Sequence, residues 1–215
     1  MARNKYPEET VEKILEIAGR LFWTKGYEQT SIQDIVDELG MSKGAIYHHF
    51  KNKEQILNQL CDSYYNRMDW FTDIPQDKSL NGREKLRKLF WYSLCNEQKL
   101  QVDQLLLPML QNPRMVAAQL RDTVQVNAPL IARIIQEGNE DGSLAVDQPE
   151  ELAEIVMLLT NLWINPGVFC WTPEEFQRRV RLLATICQQN GLPIVDEEML
   201  QKADQYYAAV SPQRQ

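Results

Sequence analysis

The residues best equipped for chemistry in this chain lie between Met41 and Lys53, where the sequence reads MSKGAIYHHFKNK. Lys43, Lys51 and Lys53 share the stretch with His48 and His49, the chain's 2 histidines, and no Asp or Glu occurs from Leu39 to Lys53. Ammonium, imidazole, phenol and hydroxyl groups gathered so closely donate hydrogen bonds to anionic oxygens, those of phosphate in particular. The same residues do not suit a metal. Adjacent histidines on a helix point about 100° apart, and no third ligand stands nearby, so no metal site is read here. No Ser-His-Asp arrangement, no paired catalytic carboxylates and no phosphate-binding glycine loop occurs. The expectation is therefore a protein that is not an enzyme, with no catalytic residues and no cofactor.

The elements that hold this stretch are helices. Val11, Ile14, Leu15, Ala18, Leu21 and Phe22 fall at i, i+3, i+4, i+7, i+10 and i+11, one apolar stripe, and Lys25-Gly26 supplies its stop. Thr30 and Ser31 offer N-caps for a second helix, Thr30 with Gln33 fitting a capping box. Ile32, Ile35, Val36 and Leu39 form its apolar face, and Gly40 is expected to end it in the left-handed conformation. Ser42 can cap a third helix in which Ala45, Ile46 and Phe50 pack inward while Lys43, Gly44, Tyr47 and His48 face out. Asn52 with Gln55 opens a long fourth helix carrying Ile56, Leu57, Leu60, Cys61, Tyr64 and Met68. A helix, a tight turn and a helix rich in cationic and hydrogen-bonding groups have the geometry of a major-groove DNA reader.

Composition limits how such a reader can work. The 215 residues carry a formal net charge of −7. Residues 1–58 hold 8 Lys/Arg against 9 Asp/Glu, and the remainder holds 15 against 21. Net acidity opposes indiscriminate polyanion binding, so DNA contact has to be local and dependent on pose. The chain is 44% hydrophobic, enough for a sizeable core. It has no apolar run of about 18 residues, and its polar start is not a signal peptide, so a cytoplasmic protein without membrane attachment is expected. Cys61, Cys95, Cys170 and Cys187 form no CxxC pair and read as free thiols of a reducing compartment.

Beyond the fourth helix, TDIPQDKSLNG (72–82) reads as the main loop. Helices are expected at about 82–98, 101–111 and 113–140. The segments Asp147-Gln148-Pro149-Glu150 and Thr172-Pro173-Glu174-Glu175 each place a cap donor before Pro and early glutamates, marking two more starts. A last helix covers about 196–209. Without strand alternation or internal repeats, the fold class is all-α. It comprises an N-terminal three-helix DNA-binding domain with a helix-turn-helix (1–52) and a helical ligand-binding and dimerisation domain (53–215).

The run from Ile14 to Lys53 resembles the N-terminal domain of TetR-type transcriptional regulators. Gly26-Tyr27, Thr30-Ser31-Ile32, Ile35, Gly40, Ser42-Lys43-Gly44, Tyr47-His48-His49-Phe50 and Lys53-Glu54 carry the resemblance in the family's spacing. It implies a homodimer on a palindromic double-stranded operator, with a small-molecule pocket in the C-terminal domain. Ser31 and Ser42, at helix starts, would meet phosphate oxygens, and Gly44 would let the recognition-helix backbone approach the duplex. Tyr47 and His48 would hydrogen-bond phosphates, with Lys53 as a phosphate clamp. Lys43 would donate to guanine O6/N7, Gln33 would pair with adenine N6/N7, and Ala45 would meet a thymine methyl. His49 reads as structural.

In the C-terminal domain the helix after Pro149 is apolar on most sides, and the next places Phe176, Val180, Leu183 and Cys187 on one stripe. This pair is where the family builds its dimer interface, so Val156, Leu159, Trp163, Phe176, Val180, Leu183 and Cys187 are the expected contacts with the mate. Phe90, Trp91, Met109, Asn127, Asn161 and Trp163 are the candidate lining of a pocket for a partly apolar or aromatic effector. Effector binding would shift the fourth helix and spoil the spacing of the two recognition helices, the action of a ligand-responsive repressor. A regulator controlled by a protein partner is the alternative, separable by thermal shift against a metabolite panel. On this reading Lys43→Ala should weaken binding and relax base preference. Replacing Lys53 should weaken all sequences alike and flatten the salt dependence of duplex titrations.

Overall fold

A computed structural model of the chain describes residues 7–66, 69–107, 110 and 113–211. Met68 and Met109, and the side chains of Cys61, Tyr64 and Trp70, lie outside the described residues. The described residues are helical, without strands. In chain order the helices are α1 (Pro7–Lys25), α2 (Ile32–Leu39), α3 (Lys43–His49), α4 (Lys53–Asn66), α5 (Asp69–Gln76), α6 (Gly82–Cys95), α7 (Glu97–Leu106), α8 (Pro113–Asp122), α9 (Ala128–Glu140), α10 (Pro149–Leu158), α11 (Pro173–Gln189) and α12 (Glu197–Val210). By packing, the chain divides into Met1–Arg67 and Met68–Gln215.

In the first unit α1 packs on α2 and α4, and α2 on α3. The stripe of α1 goes where its periodicity directs it. Ile14, Leu15, Ala18 and Phe22 are buried together with Ile35, Val36, Ile46, Phe50, Ile56, Leu57 and Leu60. Gly40 closes α2 at φ +64°, a conformation that costs a side-chain-bearing residue about 1 kcal/mol. The packing division falls after α4 rather than between residues 52 and 53, because α4 lays Ile56, Leu57 and Leu60 into the same core as α1.

The second unit is built around α9, which packs on α6 and α10, while α12 packs on α6, α7 and α11. Two departures from the α-helical repeat interrupt it. Thr123–Asn127 and Leu159–Trp163 are π-helical, the first joining α8 to α9 and the second extending α10. In each, an amide bonds the carbonyl five residues back: Ala128 to Thr123, and Ile164 to Leu159 at 2.9 Å. The expected loop 72–82 is shorter than read. α5 runs through Pro75 to Gln76 and buries Ile74, since a proline near a helix end removes a hydrogen bond without stopping the turn before it. Asp147 caps nothing: Gln148 is the N-cap residue of α10 without a side-chain bond, and Pro149 supplies the start.

The residues of the expected dimer stripe pack within the chain. Val156, Phe176, Val180, Leu183 and Cys187 are buried in their own chain's core, and Leu159 and Trp163 pack partly buried against it. The reason lies in α12: Phe176 stacks on Tyr207 at 4.4 Å between ring centroids, so the stripe of α11 is satisfied within the unit. The apolar residues left outside on these helices are Ile155, 48% exposed, and Leu182, 49% exposed. Desolvation raises the Cys187 thiol to about 11, as its burial requires. Among the described residues no helix is long and apolar enough to cross a membrane.

Gly82 and Gly138 mark where α6 and α9 touch backbone to backbone. A Cβ on Gly82 would stand 2.3 Å from the Gly138 nitrogen, a clash that only helix displacement relieves. Gly82→Ala should destabilise the chain by about 3 kcal/mol, read as a lowered midpoint in urea unfolding, whereas Gly142→Ala, with open space around it, should show only the smaller cost of its positive φ.

Candidate nucleic-acid interface

α3 is held by its inner face. Ile46 is fully buried and Phe50, its C-cap, is 2% exposed. At its start Ser42 accepts a hydrogen bond from the Ala45 amide at 3.3 Å. With that face fixed, the opposite one is settled by geometry: Ser42, Lys43, Gly44, Tyr47 and His48 are exposed, and Ala45 and His49 are half-buried. The His48 and His49 rings meet edge to face at 5.2 Å. The Lys43 ammonium reaches no nearer than 6.0 Å to the Tyr47 ring centroid. Among the described residues, its chain neighbours and own helix backbone aside, nothing lies within 4 Å of a Cβ added to Gly44.

The start of α2 differs from expectation in its partners. Ser31, not Thr30, is the N-cap, and its box partner is Asp34, not Gln33. The Asp34 carboxylate accepts from the Ser31 amide at 2.6 Å and from the Ser31 hydroxyl at 2.7 Å, and the Asp34 amide donates to the Ser31 hydroxyl oxygen at 3.1 Å. Lys25 adds an ion pair to Asp34 at 2.7 Å. These contacts, the Lys25 hydrogen bond foremost, hold the Asp34 carboxyl well below the usual carboxylate range. Thr30 is instead buried, its hydroxyl donating to the carbonyls of Gly26 at 2.8 Å and Leu21 at 3.3 Å. Gln33 is exposed, and its amide donates to Asp37 at 2.8 Å. Asn52 caps α4 as expected, its oxygen accepting from the Gln55 amide at 2.8 Å.

Lys53 departs furthest from its expected place. Its ammonium donates to the carbonyls of Tyr27 at 2.5 Å and Thr30 at 2.9 Å, approaches that of Glu28 at 3.5 Å, and lies 4.1 Å from the Tyr27 ring centroid. Burial lowers its pKa from the ordinary lysine value, and burial foremost raises that of Tyr27. Asp34, Tyr27 and Thr30 were not among the expected DNA contacts. The Ser-x-x-Asp spacing could have revealed the first, but a cage of carbonyls has no sequence signature.

Of the candidate effector residues, Asn161 and Trp163 share one π-helical turn and Asn127 lies in the other. The two turns are tied by the Asn161 amide donating to the Thr123 hydroxyl at 3.2 Å, so Asn161 has a partner in the protein. Phe90 and Trp163 pack on the core, and Trp91 lies 5.9 Å from the Lys202 ammonium. Sequence reading missed Arg179, whose guanidinium stacks over Trp171 at 3.4 Å and approaches Trp163 at 5.6 Å.

The Ser31–Asp34 box gives a measurable expectation. Ser31→Ala should cost about 1 kcal/mol at neutral pH, the usual worth of an N-cap side chain. Asp34, with its folded pKa depressed, contributes stability that is present above its unfolded value near 4 and is lost as the pH falls toward the folded value. Asp34→Ala should therefore melt below the parent at pH 7, the gap narrowing steadily below about pH 4 when both are followed by circular dichroism.

Comparison with known proteins agrees with this arrangement. Residues 14–60 match the model of bacterial regulatory proteins of the tetR family, and residues 96–186 match that of a tetracyclin repressor-like C-terminal domain. The chain is 30% identical to the Transposon Tn10 TetC protein of Escherichia coli over 135 residues, 60% of this chain and 68% of that one. It is 32% identical to the transcriptional repressor KstR2 of Mycolicibacterium smegmatis over 90 residues, 40% of this chain and 42% of that relative's own length. Other relatives share as little as 24% of their length. A transcriptional regulator from Saccharomonospora viridis, solved with choline, has the same fold at 22% identity and a TM-score of 0.59, over 85% of this chain and 97% of that one. With an α2–α3 reader of this geometry and relatedness over both halves, the chain belongs to the TetR family of bacterial regulatory proteins.

Proposed function

We propose that the chain is a transcriptional repressor that binds a palindromic operator as a homodimer, α3 of each protomer entering the major groove. Gly44 carries the reading. A glycine inside a helix costs about 1 kcal/mol relative to alanine. Here the space around an added Cβ is empty and φ is not positive, so neither packing nor backbone within the chain accounts for it. A duplex lying against α3 does, because a side chain there would hold the backbone away from the groove. The exposed Lys43, Tyr47 and His48 on the same face supply donors for it.

In this assignment Lys43 donates to a guanine edge and Ala45 meets a thymine methyl at the helix start, while Ser42, Tyr47 and His48 hydrogen-bond phosphates. Gln33 reaches a base edge by exchanging its bond to Asp37. Ser31, at the start of α2, donates its hydroxyl to a phosphate by exchanging its bond to Asp34, while Lys25 pairs with Asp34 so that its charge is partly neutralised. The exposed Ile155 and Leu182 replace the buried stripe as the contact with the mate. A partly apolar or aromatic effector enters near Phe90, Trp91, Asn127, Asn161 and Trp163.

The test starts from genomic DNA fragments retained by the protein, whose shared sequence should be palindromic. On the recovered duplex Lys43→Ala should lose about 1–3 kcal/mol and discriminate less among base substitutions at one position in each half-site. Leu182→Glu should sediment as a monomer and lose the affinity gained from two linked heads. Retention of no duplex, or a Leu182→Glu dimer with parental affinity, would refute the corresponding part.

A further inference from the structure

Lys53 opens α4, yet its ammonium is directed at the turn between α1 and α2. An ammonium has three donors, and three carbonyls, of Tyr27, Glu28 and Thr30, surround this one while the Tyr27 ring covers it. The turn so gripped is already tight. Gly26 stands at φ +88°, the Thr30 amide donates to the Tyr27 carbonyl at 3.2 Å, and the Thr30 hydroxyl returns to Gly26. Thr30 is 1% exposed and immediately precedes Ser31, the cap of α2. Any loosening of the turn therefore moves the residue that starts α2, the helix against which α3 packs.

We propose that Lys53 is a positioning residue of the DNA-binding unit, fixing the Tyr27–Thr30 turn and through it the start of α2, and is not a phosphate ligand. The proposal rests on the reading of this chain as a DNA-binding regulator. Its physical basis is exclusion: a phosphate reaching this ammonium would have to displace the carbonyls of Tyr27 and Thr30 that now hold it. Lys43 offers the contrast, exposed on α3 with its ammonium 6.0 Å from the Tyr47 ring centroid. Tyr27 acts with Lys53, its ring lying against the ammonium at 4.1 Å.

Salt dependence separates the two roles. Each phosphate that a cation neutralises contributes about 0.9 to the slope of log K against log salt concentration, whereas a residue that orders a turn changes affinity without changing the ion count. The full chain is titrated with a duplex recovered from bound genomic fragments, at several salt concentrations, as the parent, Lys53→Met and Lys53→Arg. Methionine keeps the stem over Tyr27 and removes the donors. Arginine keeps the charge, and a surface phosphate would accept it, but its planar fork does not fit a site shaped by three carbonyls around one nitrogen.

The expected result is a loss of about tenfold or more for both variants with the parental slope retained, together with faster amide exchange across residues 27–34. A Lys53→Met slope lower by about 0.9 for each ammonium removed, or a Lys53→Arg chain with parental affinity, overturns the proposal. Should Lys53→Met fail to fold by circular dichroism, the Lys53→Arg titration decides alone. A parent that binds no duplex sinks the regulator reading and this proposal with it. A parent that binds, with a slope lost in the variant, sinks this proposal only.

Discussion

α3 has 7 residues, too few to be helical in water on their own, since isolated helices below about 12 residues are marginal. It exists because Ile46 and Phe50 are drawn into the first unit's core and Ser42 closes its first turn. Burial of those two side chains is the constraint from which the outward face follows. Once they point in, a period of 3.6 residues leaves Lys43, Gly44, Tyr47 and His48 no other direction. A reading surface built in this way borrows its rigidity from α1, α2 and α4. Changes in the core, such as truncation of Ile14 or Leu57, reach the surface without touching it.

The electrostatic arrangement is equally local. α2 carries Asp34, Asp37 and Glu38, and each is engaged: Asp34 by Lys25 and Ser31, Asp37 by Gln33, Glu38 by Arg20. Pairing of this kind is worth little in stability when solvent-exposed. Its effect here is on the field, because acids bound to nearby donors project less negative potential toward an approaching polyanion than free ones. With no acid between Leu39 and Lys53, a chain of net charge −7 still presents one cationic strip.

Much of this was legible before the structure. The stripe of α1, the left-handed Gly40, the Ser42 cap and the division of α3 into inner and outer faces all follow from short-range rules in which a residue's neighbours in sequence decide its surroundings. What the sequence did not reveal shares the opposite property. Lys53 meets carbonyls 23–26 positions away, and Phe176 finds Tyr207 across another helix. Periodicity says that an apolar stripe is buried, not whether its own chain or a second one buries it. For α11 the answer lay in α12. The exchange of Thr30/Gln33 for Ser31/Asp34 is a smaller error of the same origin, since only Thr30's distant acceptors, Leu21 and Gly26, show that its hydroxyl is occupied.

The paired π-helical turns have a consequence for how this half of the chain tolerates change in length. Each widened turn accommodates one residue more than the α-helical repeat, and each is locked to its neighbourhood: Thr123 is fully buried and bonds Asn161 of the other turn. Deleting one residue from either turn would restore an ordinary α-helix and leave the helices on both sides in nearly the same register, because the widened turn absorbs the extra residue. In the first case Ile131, Ile134 and Ile135 would keep their places in the core, and what would be lost is the widened turn that sets Thr123 against Asn161. Natural variants of this protein that are one residue shorter at either turn should accordingly keep the flanking helices packed as they are here.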